Sequence, residues 1–287
     1  MSEIQRPGLL IPTPEDFADL NRSMVVKAID ARDFPDWEAR LMDPKNDPCP
    51  HMEIERQQMS DCQGNATANG EEKRIWYCTG VMPKLSEMYA YNASEYVTGT
   101  QYVGRDSGTT MTSGVRVLTE GIKSLGVAPG LPLESIWAYT SYERSASRFA
   151  TRAKATTIQK SHVTEHGPMP DFKGMLVALA AGGTGHIGTD WNVRWGELNG
   201  RKLMDRKPVG GGGHATEIIW AYKINGKWYL AVWNSHGYGY YLMSQRAYEE
   251  HRDWQPYGAY LLMPDRAAQR FEDRRVSGGG YILGNVA

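Results

Sequence analysis

Residues 57–72 read QQMSDCQGNATANGEE, and our interpretation of the chain starts from Cys62 within them. Ser60 and Asp61 are residue types that cap helices, and the stretch after Cys62 contains no proline, so we predict a helix that begins at or beside Cys62. The unpaired N–H groups and the positive dipole end at that position favour a thiolate, which would lower the pKa of Cys62 and make its sulfur nucleophilic. Taken alone, the pattern also fits a buried structural cysteine.

The composition restricts the classes of partner. Among 287 residues, 32 are basic and 33 acidic, which gives a net charge of −1, and no long basic run points to nucleic acid. We find no apolar stretch of about 18 residues and no secretion leader, so we expect no membrane partner, no signal peptide and a cytoplasmic or virion-associated location. Three cysteines are too few for a disulfide scaffold, and nothing in the pattern calls for a cofactor or a metal.

Two residues far downstream complete a set with Cys62. His214 follows a glycine run in GGGGHATEIIWAY, and Asn234 closes the apolar segment WYLAVWN. Each of them alone fits an ordinary turn residue. In this order, however, cysteine, histidine and asparagine are the parts of a nucleophilic site, namely a thiolate, a general base and acid, and an amide that orients the imidazole.

With these residues the chain resembles the papain-like cysteine peptidases, and most of all the divergent bacterial and phage-type members whose nucleophile motif reads Cys-x-Gly-Asn-Ala. The resemblance implies an α+β fold with two lobes. A helical left lobe would carry the Cys62 helix, and an antiparallel, β-barrel-like right lobe would carry His214 and Asn234. It implies a peptide or protein as the substrate and no cofactor.

The same resemblance suggests domain boundaries. FPDW at residues 34–37 is similar to the start of many mature family members. We therefore expect an N-terminal extension at 1–33, a papain-like domain at 34–264 and a C-terminal tail at 265–287. Within the domain, the helical lobe would span about 55–140 and the β lobe about 170–264. The extension, with a short helix predicted through Phe17, Leu20 and Val25, is short for the family's inhibitory pro-segment, and we interpret it as part of the catalytic body.

Further segments add candidate elements and substrate-binding residues. LSEMYAYNASEYVTG at 85–99 and FKGMLVALAAGG at 172–183 predict helices, and HIGTDWNVRW at 186–195 predicts a strand. Residues 105–140 resemble a family succession in which Asp106, Ser107 and Gly108 would bind an extended substrate backbone. The alternative for these three residues is a helix N-terminus capped by Asp106 or Ser107. Gly213 is a fourth candidate.

The segment that contains His214 and Asn234 predicts a β-hairpin. The length of its turn decides whether these two side chains lie on the same face of the sheet. A two-residue turn at Asn225-Gly226 would place the His214 and Asn234 side chains on opposite faces of the sheet. A three-residue loop that includes Ile224 would bring them to one face as diagonal neighbours. We therefore predict the longer loop, with Gly226 in the left-handed bulge position.

The resemblance also implies the roles of the site residues. Cys62 would attack a peptide carbonyl, His214 would protonate the leaving amine, and Asn234 would fix the histidine tautomer. The Cys62 backbone N–H and a side chain from Gln57 or Gln58 would hold the oxyanion. The chain departs from the family twice, because Arg56 stands six residues before Cys62 and because His236 replaces a tryptophan that shields the histidine–asparagine contact.

Two other functions compete with the peptidase interpretation. HVTEH at 162–166 matches a zinc-peptidase pattern, which requires both histidines on one helical face, but Gly167-Pro168 would end that helix. The stronger alternative is a papain-like fold that serves as a structural or assembly component, for example of a phage virion, within a protein assembly that holds the chain ends. The two departures and the short extension motivate it.

Overall fold

The computed structural model describes residues 9–11, 13, 34–252 and 257–264. The helix expected through Phe17, Leu20 and Val25 and the tail at 265–287 lie outside these residues. None of the described helices is both long and apolar enough to span a membrane. The described cysteines form no disulfide. The α-helices are α1 Trp37–Met42, α2 Cys62–Thr79, α3 Glu87–Thr98, α4 Met111–Thr119, α5 Ala146–Ala155, α6 Phe172–Ala180 and α7 Gln245–Arg252.

The helical lobe packs around α2, α3 and α4. Helix α2 begins at Cys62, as predicted, and α3 begins where Ser86 caps it, with Ser86 Oγ accepting from the Tyr89 N–H at 2.9 Å. The apolar faces of these helices meet in one buried cluster that includes Tyr89, Trp137 and Phe149, whose rings contact one another. This cluster is the core of the left lobe.

The second lobe is built on one eight-stranded sheet in the order β3-β10-β4-β7-β8-β9-β6-β5. All neighbours are antiparallel except β6 and β9, which are parallel. Helix α6 packs on this sheet in the second buried cluster. The strands are β1 Gly130–Leu131, β2 Gln159–Lys160, β3 Glu165–Pro168, β4 Thr184–Asp190, β5 Gly196–Leu198, β6 Arg201–Met204, β7 Gly213–Ile224, β8 Lys227–Asn234, β9 Gly239–Ser244 and β10 Ala259–Met263.

The two-lobe α+β fold is thereby confirmed, with one difference in the right lobe. The outermost strands of the large sheet, β3 and β5, do not pair with each other, so the described strands form an open sheet and not a closed barrel. The strand predicted at 186–195 is β4, which begins earlier and ends at Asp190, and residues 191–195 form a loop. The helix predicted at 172–183 is α6, and Gly182, with φ 90°, follows its end.

The hairpin of β7 and β8 differs from the prediction in its turn. Asn225 and Gly226 alone form the turn, with φ values of 49° and 76°, so the predicted three-residue loop is wrong. A bulge after Ile218 then shifts the register, and beyond it Glu217 pairs with Trp233. The extra residue that we placed in the turn lies in the strand instead, and the pairing near the histidine is the one the longer loop would have given.

Buried charges join the two lobes where α2 packs against the sheet. Arg74 Nε donates to Glu71 Oε2 at 2.9 Å, and Arg74 Nη1 lies 3.7 Å from Glu217 Oε1 on β7. Lys73 Nζ donates to the backbone carbonyls of Leu179 at 3.2 Å and Gly183 at 2.7 Å. Helix α2 is therefore tied to the sheet that carries His214 by the ion pair of Arg74 with Glu217, and to α6 and the turn after it by the hydrogen bonds of Lys73.

Candidate active site

Cys62 is the first residue of α2 and lies where the two lobes meet. Its Sγ accepts from the Ala215 backbone N–H at 3.4 Å, and Ala215 follows His214 in β7. Only 1% of the Cys62 surface is exposed. The helix N-terminus and the histidine strand therefore converge on this sulfur.

The predicted capping of α2 by a side chain does not occur. Asp61 occupies the N-cap position, but its carboxylate makes no capping hydrogen bond to the helix backbone. Its Oδ2 accepts from the Tyr139 O–H at 2.6 Å, and burial raises the pKa of Asp61 to about 7. The aspartate next to Cys62 is thus bound to the side chain of Tyr139, from the loop after β1, and leaves the first turn of α2 uncapped by a side chain.

The pKa of Cys62 is raised, contrary to the prediction from the helix N-terminus. Burial raises the pKa of the thiol to about 12, and the neighbouring Asp61 adds to this, whereas the Ala215 N–H opposes it. Burial also lowers the pKa of His214 to about 3, with a smaller contribution from His236 and an opposing one from the Asn234 hydrogen bond. In this covered state the thiol and the imidazole are therefore both neutral.

The ring of His214 is held by Asn234 across the β7–β8 pair. His214 Nε2 lies 2.8 Å from Asn234 Oδ1, and both residues are buried. Because the amide oxygen can only accept, Nε2 carries the proton and Nδ1 is left as the basic nitrogen. This is the tautomer that a histidine needs to take a proton from a thiol.

Of the two candidate glutamines, the structure ties Gln57 to the site. Gln57 Oε1 accepts from the Ser235 O–H at 2.5 Å, and the Gln57 N–H donates to the Ser235 carbonyl at 2.8 Å. Ser235 directly follows Asn234. The Gln58 backbone N–H instead donates to the Tyr139 hydroxyl at 2.8 Å, and the Gln58 residue is exposed.

Asp106, Ser107 and Gly108 do not cap a helix, because Thr110 caps α4 through its side chain. Asp106 has a positive φ of 48°, and its Oδ1 accepts from the Ser60 N–H at 2.7 Å. This bond ties the loop to the segment that leads into Cys62. The residue of this loop that pairs with an extended chain is Thr109, which sequence reasoning did not single out.

That extended chain is the protein's own N-terminal segment. Leu9 forms a parallel bridge with Thr109, and the Leu10 N–H donates to the Thr109 carbonyl at 2.8 Å. Leu9 is 5% exposed and lies against Gly213, where a Cβ would come within 2.9 Å of the Leu9 carbonyl oxygen. Gly188 of β4 meets the Leu9 side chain in the same way. Residues 9–10 therefore lie between the two lobes, and Leu9 belongs to the buried cluster that includes Cys62.

Trp191 is a second residue that sequence reasoning missed. Its ring centroid lies 4.0 Å from that of His214, and the His236 ring lies 4.5 Å from His214. The sequence of β4, TGHIGTD, gives no sign that the chain leaves the sheet at this tryptophan and places its ring over the histidine. The HVTEH segment lies elsewhere and contains no helix, since His162 is in a loop and His166 is in strand β3.

No protein-family model matches the chain, and no curated protein sequence matches it. The proform of the ragweed pollen cysteine protease Amb a 11 has a TM-score of 0.52 at 15% identity, with 84% of this chain and 67% of that chain covered. The recombinant stem bromelain precursor has a TM-score of 0.52 at 18% identity, with 91% and 75% covered. Bromelain from Ananas comosus in complex with the E64 inhibitor has a TM-score of 0.52 at 18% identity, with 74% of this chain and 93% of that chain covered.

These similar structures are all cysteine proteases, and they share both lobes with this chain over most of its length. At 15–18% identity the likeness shows the fold. The chain has the two-lobe fold of the papain-like cysteine proteases.

Proposed function

We propose that this chain is a cysteine peptidase that hydrolyses peptide bonds through Cys62, His214 and Asn234. The observation that carries the proposal is the 2.8 Å bond between His214 Nε2 and Asn234 Oδ1, on the strand whose next residue contacts the Cys62 sulfur. A histidine oriented by an amide and placed beside a thiol is the arrangement that nucleophilic thiol catalysis requires.

In the proposed reaction His214 Nδ1 takes the proton of the Cys62 thiol, and the sulfur attacks the peptide carbonyl carbon. When the C–N bond breaks, the imidazolium gives this proton to the leaving amine, and a thioester remains on Cys62. Water, deprotonated by the same imidazole, then hydrolyses the thioester and restores the thiol. Asn234 keeps the ring in the required tautomer throughout.

The tetrahedral oxyanion would be held by the Cys62 backbone N–H and by the side-chain amide of Gln57. We choose Gln57 over Gln58 because both ends of its amide are held beside the site. The oxygen accepts from Ser235, the nitrogen donates one N–H to the Met59 carbonyl at 3.1 Å, and the second N–H of that nitrogen would be the donor to the oxyanion. Asp106, Ser107 and Gly108 would support the substrate-binding loop, whose Thr109 carbonyl meets the peptide backbone.

The N-terminal segment supports an extended peptide as the substrate class. Its Leu10 N–H already makes a main-chain hydrogen bond with Thr109, and Leu9 fills the space between Gly188 and Gly213. A substrate that uses the same surface would have to displace this segment. Its displacement would also expose Cys62 to water and thereby reduce the burial that raises the pKa of the thiol.

Labelling with E64 tests the proposal. We expect Cys62 of the full chain, or of a variant with a weakened N-terminal segment such as Leu10→Pro, to be labelled, and Cys62→Ala and His214→Ala to show no labelling. Cys49→Ala is the matched control, because Cys49 is also a buried thiol but lies in the other cluster. If E64 labels Cys62 no faster than a free thiol in both the full chain and Leu10→Pro, the proposed peptidase activity is refuted.

The alternative is that the same fold serves as a structural or assembly component. The observation that favours it is the covered state of Cys62, in which thiol and imidazole are both neutral. In that case a cleft opened by Leu10→Pro would still show no thiol activation, although the chain remains folded by circular dichroism.

A further inference from the structure

The ring of His214 lies under an indole that comes from a different strand. Trp191 follows the end of β4, is 6% exposed, and its ring is inclined by 47° to the imidazole at 4.0 Å between centroids. His236 contacts the imidazole as well, and the edge of Trp191 meets the His236 ring at 5.1 Å with an angle of 85°. Trp191 and His236 thus surround the ring whose Nε2 binds Asn234.

The chain holds Trp191 in this position through the glycine run before His214. The Trp191 N–H donates to the Gly212 carbonyl at 3.0 Å, and the Asn192 N–H donates to the Gly210 carbonyl at 3.0 Å. Gly211 packs against Asn192, where a Cβ would come within 2.8 Å of the backbone nitrogen. A side chain at position 211 would prevent the loop from approaching the 190–192 backbone so closely.

We propose that Trp191 is a positioning residue for His214, because its indole keeps water away from the hydrogen bond between His214 and Asn234. Water competes with a hydrogen bond of this kind, and a buried bond surrounded by apolar atoms holds its partners in one geometry more strongly than an exposed one. His236 stands where the resemblance expects a tryptophan, and the indole that this position lacks is supplied by Trp191 from the loop after β4. The role in catalysis rests on the proposed function, whereas the protection of the hydrogen bond does not.

Hydrogen exchange of the His214 ring N–H measures this protection directly. The full chain, labelled with 15N-histidine, would be compared with Trp191→Phe, Trp191→Ala and the double variant Trp191→Ala/His236→Trp, with His214→Ala to assign the signal. Trp220→Phe is the matched control, because Trp220 is 3% exposed on the same strand as His214. Circular dichroism of each variant establishes that it is folded.

We expect the exchange of the His214 ring proton to accelerate about tenfold in Trp191→Ala, which corresponds to the loss of about one hydrogen bond's net contribution. Trp191→Phe would accelerate it less, Trp220→Phe would leave it unchanged, and the double variant would restore much of the protection. Should Trp191→Ala fail to fold, Trp191→Phe alone still decides the question. Unchanged exchange in a folded Trp191 variant overturns the proposal, and so does a folded double variant without restored protection.

The measurement is independent of thiol chemistry. A chain that E64 does not label, but in which Trp191 protects the histidine proton, would contradict the peptidase and leave the positioning role intact. A chain that E64 labels at Cys62, but whose His214 ring proton exchanges equally fast in every variant, would support the peptidase and contradict the positioning role of Trp191.

Discussion

Gly210, Gly211 and Gly212 precede His214, and each has a positive φ, of 76°, 90° and 82°. A residue with a Cβ pays a conformational cost in this region, so three such residues in succession require glycine. The run predicts a turn from the sequence, but its contact with Trp191 and Asn192 is visible only in the structure. It brings a backbone close enough to hold the indole over the histidine.

We predict that Gly211→Ala destabilises the protein more than Gly210→Ala does. Both substitutions pay about 1–2 kcal/mol for the left-handed backbone. Gly210 has open space around it, whereas a Cβ on Gly211 would press on Asn192, which adds about 1–3 kcal/mol of overpacking. Urea unfolding of the two variants measures the difference, and equal free energies of unfolding would show that the loop adjusts at no cost.

We also predict an acid-dependent loss of stability that originates at His214. Its pKa is lowered from 6.5 to about 3 in the folded chain. Between these values the unfolded chain binds a proton that the folded chain does not, so the free energy of unfolding decreases as the pH falls, by at most about 1.4 kcal/mol per pH unit. His214→Gln cannot titrate and should show a shallower slope than the wild type in urea unfolding between pH 6.5 and 4. Parallel slopes would contradict the neutral, buried histidine.

The N-terminal segment acts as one element through its bond to the cleft. Leu10→Pro removes the N–H that donates to Thr109, whereas Leu10→Ala keeps it. A hydrogen bond contributes about 0.5–1.5 kcal/mol, so we expect Leu10→Pro to increase the rate of Cys62 labelling by E64 about two- to tenfold. Leu10→Ala is expected to stay close to the wild type. Equal rates in the two variants would mean that the Leu10 main-chain bond does not cover the site.

The elements that could be predicted from the sequence are those whose formation depends on residues close together in the chain. The Ser86 cap of α3 and the apolar helix α6 follow from a capping residue and from periodicity, which neighbouring residues determine. The start of α2 at Cys62 agrees with the prediction, although no side chain caps it. The bulge in β7 could not be predicted, because it shifts the pairing with β8 and nothing in the sequence of β7 marks its position. The raised pKa of Cys62 could not be predicted for the same reason, since its buried sulfur lies against Ala215 of β7, which is distant in sequence.

The candidate site was predictable in its membership and not in its surroundings. Cys62, His214 and Asn234 were named from residue type and order, and the structure brings them to one junction. The choice between Gln57 and Gln58 required the position of Ser235. The position of Trp191 over His214 could not be predicted, because it depends on the path of the loop at 191–195. Hydrophobic periodicity, which identifies helices and strands, gives no information about such a loop.

The two lobes have to keep a fixed relation for this site to exist, because Cys62 belongs to one and His214 to the other. Helix α2 provides the connection, since its first residue is Cys62 and its last turns contact the sheet through buried charges. Arg74 is fully buried and interacts with Glu71 on its own helix and with Glu217 on β7, three residues after His214. Glu217 Oε2 in turn lies 2.6 Å from His186 Nδ1 on β4.

Arg74→Met is therefore expected to destabilise the whole molecule by about 3–5 kcal/mol, because it leaves two carboxylates buried without their cation. Arg74 holds the pKa of Glu71 below its ordinary value, so the ion pair contributes to stability above the ordinary pKa of a glutamate and this contribution is lost as the pH falls through the lowered pKa. Urea unfolding at neutral pH measures the loss.

Arg246→Met is the matched control, because Arg246 pairs with Glu250 at 3.1 Å on the exposed face of α7, and its loss should cost about 1 kcal/mol or less. A double variant Arg74→Met/Glu217→Gln, which removes one of the uncompensated charges, should recover part of the stability. A loss in Arg74→Met no larger than that in Arg246→Met would show that the buried charges do not hold the lobes together.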